Sequence, residues 1–255
     1  MNDKTKHKIL VVDDEINVCK SIRKAILAED YEVDMALSGE EALMKDKERL
    51  YDLIITDLMM PGISGMDLLT SLKTNRPEAN VIMITGYPTI KTAVQSIKIG
   101  AFDYIPKPFT PQELRTLVSR AFKKEADQEE GISPPQIPKG LYLMRGHTWL
   151  RKEGGNLVTV GVLFDFLKHI GSITHIELLQ ENKTIFQGEV CARITDAEKN
   201  VHRVWSPATG RVINVNKDLE EDLALLKKDP YQNGWLLQIE SLDIEKDLES
   251  LVSSR

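Results

Sequence analysis

In the first half of the chain, apolar residues cluster into short unbroken runs, each closed by a polar residue. Lys8–Val12 is followed by Asp13 and Asp14, Leu53–Thr56 by Asp57, Val81–Ile84 by Thr85, and Tyr104–Pro106 by Lys107. Runs without alternation predict parallel strands covered on both faces. Between them the spacing turns helical: Ile90, Ala93, Val94 and Ile97 fall at i, i+3, i+4, i+7, and Leu114, Leu117, Val118, Ala121 and Phe122 repeat the pattern. Ser38-Gly39-Glu40-Glu41 and Thr110-Pro111-Gln112-Glu113 read as capping boxes that start helices. Strand and helix in steady alternation predict an α/β doubly wound parallel sheet, whose functional crevice lies beyond the carboxyl ends of the strands. Asp13, Asp14, Asp57, Thr85 and Lys107 all arrive there.

After a charged helix from Pro111 to about Asp127 the pattern changes. Residues 128–138, Gln128 to Pro138, are rich in acid and proline and read as a semi-extended connector between a first domain at 1–127 and a second at 139–242. The second domain shows short strands at Tyr142–Met144, Thr148–Arg151, Leu157–Val160, Ile173–Leu178, Gly188–Ile194, Arg211–Asn216 and Trp235–Ile239. Helices are expected at Val162–Ile170 and Asp218–Lys228. Close turns between so many strands predict a mostly β sandwich or barrel. A polar tail, 243–255, carries Ile244, Leu248, Leu251 and Val252 at near-helical spacing, which suits either a docking helix or a frayed end.

Composition narrows the function. A chain of 255 residues has room for two cores, and a net charge of −6 with a pI near 5.5 argues against a nucleic-acid output, which would show a basic domain or stripe. No run approaches the ~18–20 apolar residues that span a bilayer, and the polar N-terminus does not read as a signal peptide, so a cytoplasmic location without membrane insertion is expected. Cys19 and Cys191 have no ligand spacing and read as buried thiols. His7, His147, His169, His175 and His202 are scattered and read as structural or surface residues.

Charge says what the crevice can do. Three carboxylates in one place raise each other's proton affinity unless a cation neutralises them, and an all-oxygen set with few ligands suits hydrated Mg²⁺. Asp57, alone at the end of the central strand, is the best phosphoryl acceptor. Asp13 and Asp14 form a ligand pair, and Lys107 can clamp the transferring oxygens.

Ile9–Glu15, Ile54–Gly62, Ile84-Thr85-Gly86 and Asp103–Phe109 together resemble a response-regulator receiver domain, over residues 7 to about 125. The resemblance implies a five-stranded, flavodoxin-like sheet, and phosphorylation of Asp57 by a partner sensor histidine kinase. It implies Mg²⁺ held by Asp14, Asp57 and the backbone carbonyl of Met59, with Asp13 acting through water. It also implies a cis Lys107–Pro108 bond and Lys107 pairing with phosphoryl oxygens. On phosphorylation Thr85 would move to bond the phosphoryl group and Tyr104 would rotate inward, altering a face that leaves a phosphorylation-dependent dimer open.

The second half is similar to the glycine cleavage system H protein, a lipoyl-carrier fold of barrel-sandwich type. The resemblance rests on His147–Arg151, Val158–Gly161, Gly171–Ile173, Ile176–Leu178, Ser206–Val212 and Asp229–Leu236. In that family a lysine seven residues before the Ala/Ser-Pro carries lipoate at a hairpin tip, and counting back from Ser206 gives Lys199. The flanks depart from the family's Glu-Ser-Val-Lys-Ala: here they read Asp196-Ala197-Glu198-Lys199-Asn200. The stretch from Gly188 to Lys199 is also one residue long, so a bulge must absorb it or the tip shifts.

Two functions follow. In the favoured one the chain is a response regulator whose H-like domain binds an unidentified protein partner, with Mg²⁺ as cofactor and no enzyme activity beyond its own phosphorylation and dephosphorylation. In the other, lipoate on Lys199 makes it a carrier for a glycine cleavage-type system, gated by phosphorylation.

Overall fold

The computed structural model describes residues 6–27, 30–86, 90–122 and 135–254. The chain divides into two compact units, Met1–Phe122 and Lys123–Arg255. Residues 123–134, on which the end of the expected charged helix and most of the expected connector fall, lie outside the described residues.

The first unit alternates β1 (His7–Val12), α1 (Ile16–Ile26), β2 (Tyr31–Ala36), α2 (Gly39–Arg49), β3 (Leu53–Asp57), α3 (Gly65–Asn75), β4 (Asn80–Thr85), α4 (Ile90–Ile99), β5 (Asp103–Pro106) and α5 (Pro111–Phe122). All strand pairs are parallel, in the order β2-β1-β3-β4-β5. The order reverses at β1, so the crevice of the switch point opens between the ends of β1 and β3. Burial follows the sequence pattern: Ile9, Val11, Leu53, Ile55, Ile82 and Ile84 are almost wholly excluded from water beneath Cys19, Ile22 and Ile26 of α1 and Leu114 and Val118 of α5.

Helix starts obey their caps. Thr110 and Glu113 exchange bonds reciprocally: the Glu113 amide donates to Thr110 Oγ1 at 3.2 Å, and the Thr110 amide to Glu113 Oε2 at 2.9 Å. At α2, Ser38 accepts from the Glu41 amide, but Glu41 reaches back one residue further, to the Leu37 amide.

The second unit contains β6 (Tyr142–Met144), β7 (Thr148–Gly154), β8 (Leu157–Val162), α6 (Phe164–Leu167), β9 (Ile173–Leu178), β10 (Thr184–Ile185), β11 (Val190–Asp196), β12 (Val201–Trp205), β13 (Gly210–Val215), α7 (Asp218–Glu221), α8 (Leu225–Lys228), β14 (Trp235–Ser241), α9 (Ile244–Leu248) and β15 (Val252–Ser253). A seven-stranded sheet, β10-β13-β14-β8-β7-β6-β15, accompanies a three-stranded one, β12-β11-β9. The mostly β architecture is as expected.

Three local expectations need correction. The helix expected at Asp218–Lys228 is two short turns, because Asp222 is extended and its carboxylate caps the second turn by accepting from the Ala224 amide at 2.9 Å. Leu219 and Leu226 still reach the core. The helix expected at Val162–Ile170 shrinks to Phe164–Leu167, since Val162 remains in β8 opposite Thr148. The third concerns β10 and β12, which are absent from the strands expected from the residue pattern, although the hairpin tip expected at Lys199 implies a strand after it.

The segment 243–254 folds onto its unit. Asp247 of α9 is buried, accepts from the Thr209 amide at 2.8 Å and from Ser241 Oγ at 3.2 Å, and β15 pairs with β6. Burial lifts the Asp247 pKa above the usual carboxylate value, against the pull of those bonds.

Candidate functional site

Three of the five polar side chains that end strands meet at the crevice of the first unit, and a fourth residue, Thr85, joins them through its backbone carbonyl. Lys107 Nζ lies 2.6 Å from Asp57 Oδ1 and 2.9 Å from Asp13 Oδ2, tying the end of β3 to the end of β1. Its position is set by the backbone, for the Lys107 amide donates to the Thr85 carbonyl at 2.7 Å and the Lys107–Pro108 peptide is cis. The other Asp57 oxygen accepts from the Met59 amide at 2.6 Å. Both oxygens of the carboxylate are thereby oriented. Burial works against the charge on Lys107, but the hydrogen bonds and charges of Asp57 and Asp13 outweigh it and hold its pKa above the ordinary lysine value.

The structure distinguishes residues that the sequence treated as a pair. Asp13 is buried and bonded to Lys107, whereas Asp14, the expected direct metal ligand, is exposed. Thr85 is fully buried at the end of β4. Tyr104, expected to swing inward on phosphorylation, is already inside: it is 3% exposed, and its hydroxyl lies 3.3 Å from Thr92 Oγ1 of α4.

No group of three or more His, Cys, Asp or Glu side chains among the described residues is gathered to hold a metal. Mg²⁺ does not require one, since it keeps several waters and takes one or two carboxylates. The residues present fit such an ion, because two buried carboxylates face a single ammonium and leave negative charge uncompensated. Asp13, Asp14, Asp57 and the Met59 carbonyl are the oxygen donors available.

In the second unit, Lys199 sits at the tip of the hairpin joining β11 to β12, exposed and with a left-handed φ of 64°. Asp196 builds that tip. Its Oδ1 accepts from the amides of Glu198 (3.0 Å) and Asn200 (2.9 Å), and its Oδ2 from Asn200 Nδ2 (3.1 Å), with His202 Nε2 also at 3.1 Å. Burial opposes the Asp196 charge, yet the bonds from His202 and Asn200 keep its pKa below the usual carboxylate range. The Ala197 amide donates to the Ser172 carbonyl at 2.8 Å, anchoring the tip to the residue before β9. β11 carries a bulge against β12: Val190 faces Trp205 and Ala192 faces Val204, so Cys191 has no counterpart on β12. Both cysteines are buried free thiols, and burial pushes Cys191 up to about 12 and Cys19 up to about 11.

Several other motif residues of this unit hold its strands and turns together. Trp149 is fully buried and donates to the Pro230 carbonyl at 3.1 Å, and a Cβ at Gly161 would fall 2.3 Å from its ring. Arg151 reaches the Tyr231 carbonyl at 3.1 Å, so β7 is pinned to the Asp229–Gly234 turn. That turn is closed by Asp229 Oδ2, which accepts from Asn233 Nδ2 at 2.7 Å.

The sequence model described as "Response regulator receiver domain" matches residues 9–119, and that of "Glycine cleavage H-protein" matches residues 141–255. The chain belongs to the response regulators, with a glycine cleavage H-protein domain as its second half. The transcriptional regulatory protein ResD of Bacillus subtilis is 38% identical over 207 residues, 80% of this chain and 80% of ResD. The glycine cleavage system H protein of Coxiella burnetii is 34% identical over 119 residues, 47% of this chain and 90% of that protein. The crystal structure of a receiver domain from Clostridium thermocellum is 38% identical, covers 45% of this chain and 93% of that one, and gives a TM-score of 0.43. Against longer transcriptional regulators the chain spans only 26% to 31% of their length. The crevice therefore belongs to a receiver domain, and the Lys199 hairpin to an H-like domain.

Proposed function

We propose that this response regulator is phosphorylated on Asp57 by a sensor histidine kinase, and that its H-like domain is the output, acting by contact with another protein. The single observation carrying the first part is Lys107 bridging Asp57 and Asp13. In the transfer, an Asp57 oxygen attacks phosphorus, the bond from phosphorus to the kinase imidazole breaks, and the imidazole leaves. Lys107 neutralises charge on the transferring oxygens, and the Met59 amide keeps the acceptor carboxylate aimed. Bound Mg²⁺ would supply further neutralisation of that charge. Beyond this self-phosphorylation and its reversal, no enzyme activity is assigned. Residues 128–138 act as the connector, and the location is the cytoplasm; no helix among the described residues is long and apolar enough to cross a membrane.

A protein-contact output is supported by the acidic balance of the chain, since non-specific DNA affinity comes from clustered Lys and Arg neutralising phosphates. At low ionic strength the phosphorylated chain is expected to leave duplex DNA unshifted in a gel assay. Binding that weakens steeply with added salt would overturn this output.

A second reading rests on one feature, the exposed Lys199 on its hydrogen-bonded tip, which is where lipoate would be attached. Mass spectrometry after co-expression with lipoate ligase decides it. On the favoured reading the Lys199 peptide stays unmodified because of Glu198 and Asn200; one lipoyl mass that Lys199→Ala removes would establish the carrier.

A further inference from the structure

The loop that carries Met59 is held from outside the crevice. At its far end it is closed by the Gly65 amide donating to the Leu58 carbonyl at 3.0 Å, with Gly65 so near β3 that a Cβ would lie 2.0 Å from the Asp57 carbonyl oxygen. Just before that closure, the Ile63 amide donates to Glu40 Oε1 at 3.0 Å. Glu40 belongs to the first turn of α2, and its neighbours fit it to this loop. Gly39 approaches so closely that a Cβ would lie 2.6 Å from the Ile63 carbonyl oxygen, and Gly62, at φ +72°, would place a Cβ 2.6 Å from Glu40 Oε1. Two glycines thus let one carboxylate cross from α2 to the turn after β3.

We propose that Glu40 is a positioning residue for the phosphorylation site: it tethers the 58–64 loop and so sets where the Met59 backbone stands beside Asp57. The tether acts at both atoms of that peptide region, because the Met59 amide already holds Asp57 Oδ2 and the Met59 carbonyl is a candidate oxygen donor to the metal. An ordinary first-turn acid would serve only its own helix, whose N-terminus favours negative charge. Glu40 does more, since its carboxylate accepts from a residue 23 positions away. Hydrogen bonds from its own amide, from Ile63 and from Ser38 keep its pKa below the usual glutamate value, so it is ionised and a strong acceptor at neutral pH. The inference rests on reading the crevice as a receiver site.

The test compares the full-length chain with Glu40→Ala and Glu40→Gln, using Mg²⁺ alone in calorimetry, amide hydrogen exchange at Ile63, and labelling by a small acyl phosphate. Glu40→Ala is expected to weaken Mg²⁺ binding about threefold, the low end of what one exposed hydrogen bond contributes. It should speed Ile63 exchange and also slow labelling at saturating Mg²⁺, since the Met59 amide that aims Asp57 shifts with the loop. Glu40→Gln keeps an acceptor oxygen and should restore most of the affinity. Unchanged Mg²⁺ affinity in Glu40→Ala, or equal losses in both variants, would overturn the tether and leave the receiver reading intact. An unmodified chain that takes no label, with the Mg²⁺ difference still present, would sink the receiver reading and support the tether.

Discussion

Asp57→Asn should abolish labelling by a small phosphodonor in the presence of Mg²⁺. The amide has no anionic oxygen to attack phosphorus, and of the two buried carboxylates Asp57 alone terminates the central strand, with both its oxygens oriented by Lys107 and Met59. Stoichiometric labelling of that variant at another residue would refute the assignment. The neighbours separate by role. Asp14→Ala should weaken Mg²⁺ binding and labelling together, through loss of an oxygen donor. Lys107→Ala should keep Mg²⁺ affinity, since removing the ammonium leaves Asp13 and Asp57 more in need of a cation, while impairing the switch. Calorimetry with Mg²⁺ reads the difference; a loss in Lys107→Ala as severe as in Asp14→Ala would reverse these roles.

Asp196→Ala should loosen the Lys199 hairpin and destabilise the H-like domain by about 3 kcal/mol, the scale expected when a buried, hydrogen-bonded carboxylate is deleted. Four groups lose their acceptor at once. Asp196→Asn retains an acceptor for the Glu198 and Asn200 amides and should lose less. The pH dependence has a definite sign. Because the folded-state pKa of Asp196 is depressed, its contribution is fully present above the ordinary carboxylate pKa of the unfolded chain and is lost as pH falls through the lower folded value. Denaturant melts of the domain should therefore show this contribution constant near neutrality and fading in acid, in the unmodified chain only. An identical acid profile in Asp196→Ala would show that the contribution does not come from this carboxylate.

The strands of the receiver were legible because they are buried on both faces: Leu53–Asp57 has no exposed residue, so its run carries no interruption. The crevice was legible because parallel topology forces strand ends together. What separates Asp13 from Asp14 was not, since the two differ only in the direction each side chain takes from the end of β1. In the H-like domain, β12 was missed because its residues alternate weakly, with Val201 exposed and His202 buried against Asp196. Its buried His–Asp contact depends on a pairing between strands that no local window contains. The bulge at Cys191 was not legible either, because it is set by the register with Trp205.

That register also makes the chain its own reporter. The three tryptophans, Trp149, Trp205 and Trp235, all lie in the H-like domain, and Trp205 closes the return strand of the Lys199 hairpin. Indole emission excited at its red edge is silent about the receiver, so any spectral change that follows phosphorylation of Asp57 is a message passed from one domain to the other, read without attaching a label.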